Sequence, residues 1–237
     1  MSNGVRFGGE NSIEEPPLPP LPIGDGCSRI GAMPSLSHEK RLRAAGHRVV
    51  AGIDEAGRGP MAGPVCVAAV VLPEKYRHRV LNDSKMLAEH QREKLFDEIT
   101  QHSEIRWHCE TIEVEVIDTI NILQATWMGM RRCALALQPK PDAVLVDGNR
   151  VRDFPVHHVP LVQGDSLSYS IAAASIIAKV TRDRLMKQLA AEYPQYGFER
   201  HKGYCTPEHQ ESLRRHGPCP HHRRSFAPVA QMELGFD

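Results

Sequence analysis

Four carboxylates stand where short apolar runs give way to polar or glycine-rich sequence. Asp54 and Glu55 close VVAGI, Asp147 closes AVLV, and Asp165 follows HHVPLVQG. Strand ends of mixed α/β sheets are where sites are usually built. Adjacent side chains of a strand point to opposite faces, so Glu55 shares a site with Asp54 only beyond the regular strand or at a bulge. The AGRGP that follows makes such a departure expected. Carboxylates gathered together repel and raise one another's pKa unless cations compensate them. Oxygen-only ligand sets select Mg²⁺ or Mn²⁺, and two such ions can activate water and stabilise the leaving oxygen of an in-line phosphodiester displacement. Taken singly, each of these residues is better read as a turn or helix cap, and only the constellation carries the functional reading.

The elements that must position them are legible from periodicity. Two β-branched runs, RVVAGI and PVCVAAVVL, are joined by Gly/Pro-rich sequence and predict an antiparallel strand pair. Residues 85–102 carry helical spacing behind the polar stretch Asn82-Asp83-Ser84. A strand over 105–112, a helix over 114–137 and strands over 143–147 and 157–162 follow. The alanine-rich segment 168–193 predicts the longest helix, and Thr206-Pro207-Glu208 starts a last short one. The order predicts an α/β fold with one mixed β-sheet flanked by helices and a small C-terminal helical region.

Around this body, residues 1–47 read as a flexible Pro/Gly-rich extension, containing EEPPLPPLP, and 218–237 as a basic and apolar tail. The body between them, 48–217, is the expected catalytic domain. The 29 basic and 29 acidic side chains cancel, so composition gives no sign of a polyanion binder. Basic groups serving nucleic acid would have to be segregated on one face. The six cysteines show no CxxC pair and are expected as reduced thiols. No stretch reaches the ~20 apolar residues of a membrane span, and the cytoplasm is the expected location.

The segment GIDEAGRGPMAGPVCVAAVVL, at 52–72, closely resembles the signature of the ribonuclease HII family. Further blocks resemble it in the same order: LNDSK at 81–85, VDG at 146–148, GDSLSYSIAAASIIAKVTRD at 164–183 and HKGYCTPEH at 201–209. The resemblance implies a ribonuclease H-like fold and a catalytic, metal-binding set of Asp54, Glu55, Asp147 and Asp165, with Mg²⁺ or Mn²⁺ as cofactor. It also implies a substrate, RNA/DNA hybrid or duplex DNA carrying single ribonucleotides, cut on the 5′ side to leave 3′-hydroxyl and 5′-phosphate. Gly57, Arg58, Gly59 and Tyr204 would recognise the ribonucleotide–DNA junction, while Ser84, Lys85, Ser175 and Lys179 would contact phosphates. The sister ribonuclease HIII usually has Glu at the position of Asp165, and Asp165 favours HII. Cys205 stands where the family often has glycine, which leaves the conformation of the Tyr204 loop open.

Ser175, Lys179 and Arg182 form an i, i+4, i+7 stripe that either faces the substrate backbone or is a solvated face with a Lys179–Asp183 ion pair. The basic stretch from His201 to Arg224, ending in His221, His222, Arg223 and Arg224, is either a soluble surface or a nonspecific duplex contact. At the end of the chain, Gln231, Leu234 and Phe236 make a QxxLxF that resembles a sliding-clamp docking peptide, with folding back onto the body as the alternative. A monomer is expected. A binding module that has lost catalysis is the rival reading, and the intact carboxylate set argues against it.

Overall fold

The two β-branched runs pair as antiparallel strands β1 (Val50–Ala56) and β2 (Val65–Val71), as their sequence predicts. The structure, a computed structural model, describes residues 33 to 233 apart from 79, 82 and 83. Strand β3 (Arg106–Ile112) adds antiparallel to β2, whereas β4 (Ala143–Asp147) and β5 (His157–Leu161) add parallel to β1. The sheet therefore has five strands in the order β3-β2-β1-β4-β5, with β1 at its centre.

Helices cover both faces. Before β1 lies α1 (Ser37–Ala44), and between β2 and β3 lies α2 (Glu89–Gln101). Helix α3 (Val114–Ala136) crosses one face, where Met130, Cys133 and Ala134 pack on Ala51, Ile53, Val67 and Val144. Helix α4 (Tyr169–Glu192) crosses the other with α2, burying Ala172, Ala173, Ile176 and Ile177 against Ala68 and Val70. Its small residues allow close approach. A Cβ at Gly52 would lie 2.3 Å from the Ile171 amide nitrogen, so glycine at the middle of β1 is a packing requirement. Three short helices, α5 (Phe198–His201), α6 (Pro207–His216) and α7 (Ala227–Glu233), form the C-terminal region. Thr206 caps α6 by accepting from the His209 amide at 3.2 Å, with Pro207 in its first turn.

Several expectations are corrected. The helix read from 85 begins at Glu89, after a single 3-10 turn over Ser84–Met86; the Ala88 N–H donates to the Gln91 carboxamide at 2.9 Å. Helix α3 is two helices across a kink at Asn121, whose φ is 67°. The Asn121 side chain accepts from the amides of Leu123 and Gln124 and so caps the second half. An apolar period running through the kink hid it.

The extension read as flexible to about residue 47 contains α1, and Leu36 and Leu42 are buried. Glu39, 1% exposed, accepts from the Ser168 hydroxyl, the Ser170 hydroxyl and the Ser170 amide at 2.6, 2.7 and 3.0 Å. It thus sits at the N-terminus of α4, where a carboxylate is favoured. Residues 1–32, with the Pro-rich run, lie outside the described residues. The segment from 218, read as a tail, packs on the body as far as α7: Val229 is buried with Met61 and Leu213. Cys66, Cys109, Cys133, Cys205 and Cys219 are free thiols. Among the described residues no helix is long and apolar enough to cross a membrane.

Candidate active site

The parallel pairing of β1 with β4 sets Ile53 beside Val146, so the next residues of the two strands, Asp54 and Asp147, emerge side by side. Asp165 arrives from the 3-10 turn Gly164–Ser166 that leads into α4. The Gly164 amide donates to Asp147 Oδ1 at 2.6 Å, tying this turn to the end of β4. One oxygen each of Asp54, Asp147 and Asp165 lies within 4.8 Å of the others. Burial, then the charges of Glu55 and Asp147, push the Asp54 carboxyl well above the usual carboxylate range. Such a group needs either a proton or a cation.

Glu55 is not one of the three converging carboxylates, but it lines the same cleft as Asp54 and Asp147. β1 stays regular through Ala56, with Glu55 opposite Val67, so the expected departure from the strand does not occur and the alternation of faces holds. The Glu55 carboxylate receives Arg58 at 3.0 Å, and its Oε2 is buried without a hydrogen-bond partner. Burial raises its pKa, and Arg58 opposes that rise. A buried, unpartnered carboxylate oxygen beside three converging carboxylates is the chemistry of a cation site with one ligand still to be recruited.

A cleft of about 550 Å³ opens here, lined by Asp54, Glu55 and Asp147 together with residues 57–59 and Tyr204. Tyr204 is 48% exposed, so its ring is available to a ligand. Ser84, Lys85, Ser175 and Lys179 complete the wall. The two serine hydroxyls bond each other at 2.8 Å. Lys85 lies 3.4 Å from Asp165, and Lys179 pairs with Asp183 at 2.8 Å, the ion pair that the helical spacing allowed.

The family model for ribonuclease HII matches residues 51–229. The chain belongs to the ribonuclease HII family. It is 50% identical over 191 residues to the ribonuclease HII of Ruminiclostridium cellulolyticum, covering 81% of this chain and 74% of the relative. It is 55% identical over 184 residues to that of Paracidovorax citrulli, covering 77% and 75%. Among solved structures, ribonuclease H2 from Pyrococcus horikoshii superposes with a TM-score of 0.69 at 28% identity, over 80% of this chain and 99% of that one. A ribonuclease HII from Archaeoglobus fulgidus, solved as a complex with PCNA, gives 0.61 at 27% identity, over 80% and 91%. The fold is the ribonuclease H-like fold, and the protein is a ribonuclease H endonuclease acting on nucleic acid.

Two basic residues are held more deeply than their sequence context suggests. Arg182 lines the cleft with Ser175 and Lys179, as the stripe spacing allows, but its guanidinium is engaged by backbone. It is 1% exposed and donates to the carbonyls of Pro64, Ala62 and Lys202 at 2.9, 3.1 and 3.0 Å. Arg223, read as a surface cation, is fully buried beneath the Gly57–Gly59 loop. His201, His209 and His222 are buried too, while Arg214 and Arg215 both pair with Glu211. The basic stretch is thus largely interior or locally paired. Nothing in the local sequence distinguishes an interior arginine from an exposed one; only the loop carbonyls it meets across the fold do.

Proposed function

We propose that this endonuclease hydrolyses the RNA strand of RNA/DNA hybrids and cuts on the 5′ side of single ribonucleotides in duplex DNA, leaving a 3′-hydroxyl and a 5′-phosphate. The observation that carries the reading is the shared cleft. Three carboxylates lie mutually close, and two of them, Asp54 and Asp147, line one cleft with the glycine loop and Tyr204. Asp54, Asp147 and Asp165 would hold Mg²⁺ or Mn²⁺, with Glu55 joining when Arg58 turns to a phosphate. Bound divalent ions would supply charge neutralisation at the phosphate and a more acidic attacking water, two of them serving the entering and leaving oxygens.

The chain's own residues do the rest. Amides of the Gly57–Gly59 loop approach the substrate closely, and the Tyr204 ring stacks on the sugar beside the 2′-hydroxyl, the local mark of RNA. Lys85 and Lys179 would exchange their carboxylate partners for phosphates on the duplex. Primer removal and excision of misincorporated ribonucleotides are the processes that need such a cut.

The test is cleavage of a labelled duplex with one ribonucleotide, beside a uniform RNA/DNA hybrid, by the protein and its Asp147→Asn variant. A cut 5′ to the lone ribonucleotide that disappears in the variant is expected. Cleavage of the long hybrid alone would defeat the junction reading. The QxxLxF at 231–236 supports docking on a sliding clamp, and the Archaeoglobus ribonuclease HII was solved in complex with PCNA. Gln231 is exposed at the end of α7, and Leu234 and Phe236 lie outside the described residues. Unaltered clamp affinity after deleting residues 231–237 would reject it.

A further inference from the structure

The loop that follows β1 is held on both sides by backbone. Met61 N–H donates to the Gly203 carbonyl at 2.9 Å, next to Tyr204. On the opposite side Arg223 N–H donates to the Met61 carbonyl and Gly63 N–H to the His221 carbonyl, each at 2.8 Å. Segment 221–223 therefore lies against the glycine loop, which in turn lies against the Tyr204 loop. Two consecutive side chains of that segment reach in different directions.

The Arg223 guanidinium donates to the carbonyls of Gly57 at 2.6 Å, Arg58 at 3.0 Å and Gly63 at 2.8 and 2.9 Å. With three carbonyls of one loop drawn inward to a single planar fork, the loop cannot turn over. Arg182 meets the same loop from α4, and a Cβ on Gly57, whose φ is +98°, would lie 2.0 Å from its Nε. Burial and the charge of Arg182 lower the Arg223 pKa to about 9, so the group is a cation at neutral pH, met by carbonyl dipoles.

His222 reaches the other loop through His209. The Cys219 amide donates to His222 Nδ1 at 3.0 Å, which places the His222 proton on Nε2. That Nε2–H faces His209 Nε2 at 3.1 Å and makes it the acceptor. His209 then carries its proton on Nδ1 and donates to the Tyr204 carbonyl at 2.9 Å. Each ring is neutral, and each tautomer is dictated by the next. His201, stacked 4.3 Å from His209, closes the base of the same loop, donating from Nε2 to the Tyr196 carbonyl and accepting the Gly203 amide at Nδ1.

We propose that His222 and Arg223 are positioning residues that set the Gly57–Gly59 loop and Tyr204 relative to one another, one side chain serving each. The proposal rests on the reading of those loops as substrate contacts. It assigns to the C-terminal segment a role in ribonucleotide discrimination rather than in general duplex attraction.

The experiment compares Arg223→Lys, His222→Gln and Tyr204→Ala with the unaltered protein. Steady-state kinetics on the single-ribonucleotide duplex are read beside amide exchange at residues 57–59 and 204. Lysine keeps the charge but donates from one atom and cannot span three carbonyls. Arg223→Lys and His222→Gln are each expected to raise KM about tenfold with kcat within about threefold, and to speed exchange at 57–59 or 204 respectively. A parallel fall of kcat and active fraction, with KM unchanged, would reduce both residues to fold support and overturn the proposal. If Tyr204→Ala leaves KM unchanged, the substrate reading of that loop fails; exchange then decides the brace, and unchanged exchange in both variants overturns it. Should Arg223→Lys not fold, His222→Gln carries the same decision for its own loop.

Discussion

The two walls of the cleft are built by different means. The acidic wall is carried by regular structure: Asp54 follows the last residue that β1 pairs with β4, Asp147 ends β4, and Asp165 sits in the 3-10 turn that leads into α4. Short side chains on a stiff sheet need little else to converge. The part formed by residues 57–59 and Tyr204 is made of loops, and their shape comes from buried cations and imidazoles contributed by segments up to 166 positions away in sequence. On the proposed roles, chemistry that demands ångström-scale placement of charge is given to the sheet, and recognition to loops braced from within.

The comparison breaks most directly at the acidic wall. Asp147→Asn retains an acceptor for the Gly164 amide but loses the charge. Turnover is expected to fall about a thousandfold or more with the fold intact, as rate and circular dichroism would show. In metal-free protein its melting temperature should not fall, because a mutually repelling charge has been removed from beside Asp54. A large loss of melting temperature would mean that these carboxylates support the fold.

The loop wall should respond in the reverse pattern. Gly57→Ala forces a side chain into positive φ and into Arg182. A stability cost of about 2 kcal/mol or more and a fall in kcat/KM of about a hundredfold are expected. Mn²⁺ affinity, measured by calorimetry, should stay within about threefold if the two walls are separately built. A matching loss of metal affinity would show that the loop also shapes the acidic cluster.

That division also marks what was legible in the sequence. The strands, the long helices and the strand-end carboxylates follow from period and from motif, because each depends on residues close in the chain. The same local logic failed for Arg223 and gave only part of the place of Arg182. Helical spacing brings Arg182 to the cleft, but the tertiary carbonyls that hold its guanidinium, and those that turn Arg223 inward, lie far away in sequence. It failed for Glu39 likewise: a charged residue in a segment of weak pattern is a poor core candidate until the α4 N-terminus and its serines are brought to it. A shared site for Glu55 and Asp54 was tied to a departure from the strand; β1 stays regular, and Glu55 lines the cleft while paired with Arg58.

Glu39→Ala sharpens the acidic side by testing whether α1, which precedes the family match, supports it. The change leaves three donors at the start of α4 without their acceptor. A loss of about 3 kcal/mol by urea unfolding is expected, with a fall in activity of only a few fold. An unchanged midpoint would make α1 an ornament of the domain rather than part of its core.

The smallest effect expected is a pH dependence confined to the braced wall. Burial lowers the pKa of His209 and His222 from 6.5 to about 4. Folding therefore keeps both rings neutral where the unfolded chain would take up protons. Their contribution is complete above about pH 6.5 and is lost as pH falls towards 4, by up to about 1.4 kcal/mol per pH unit for each ring. Protonation would also set a donor against a donor, at the Cys219 amide or between the two Nε2 atoms, and so release the Tyr204 carbonyl. The melting temperature of the unaltered protein should thus decline between pH 6.5 and 4, whereas a His209→Gln, His222→Gln double variant, though less stable at neutral pH, should decline less. An equal decline in both would place the acid sensitivity on other groups and leave the imidazole chain with a purely geometric role.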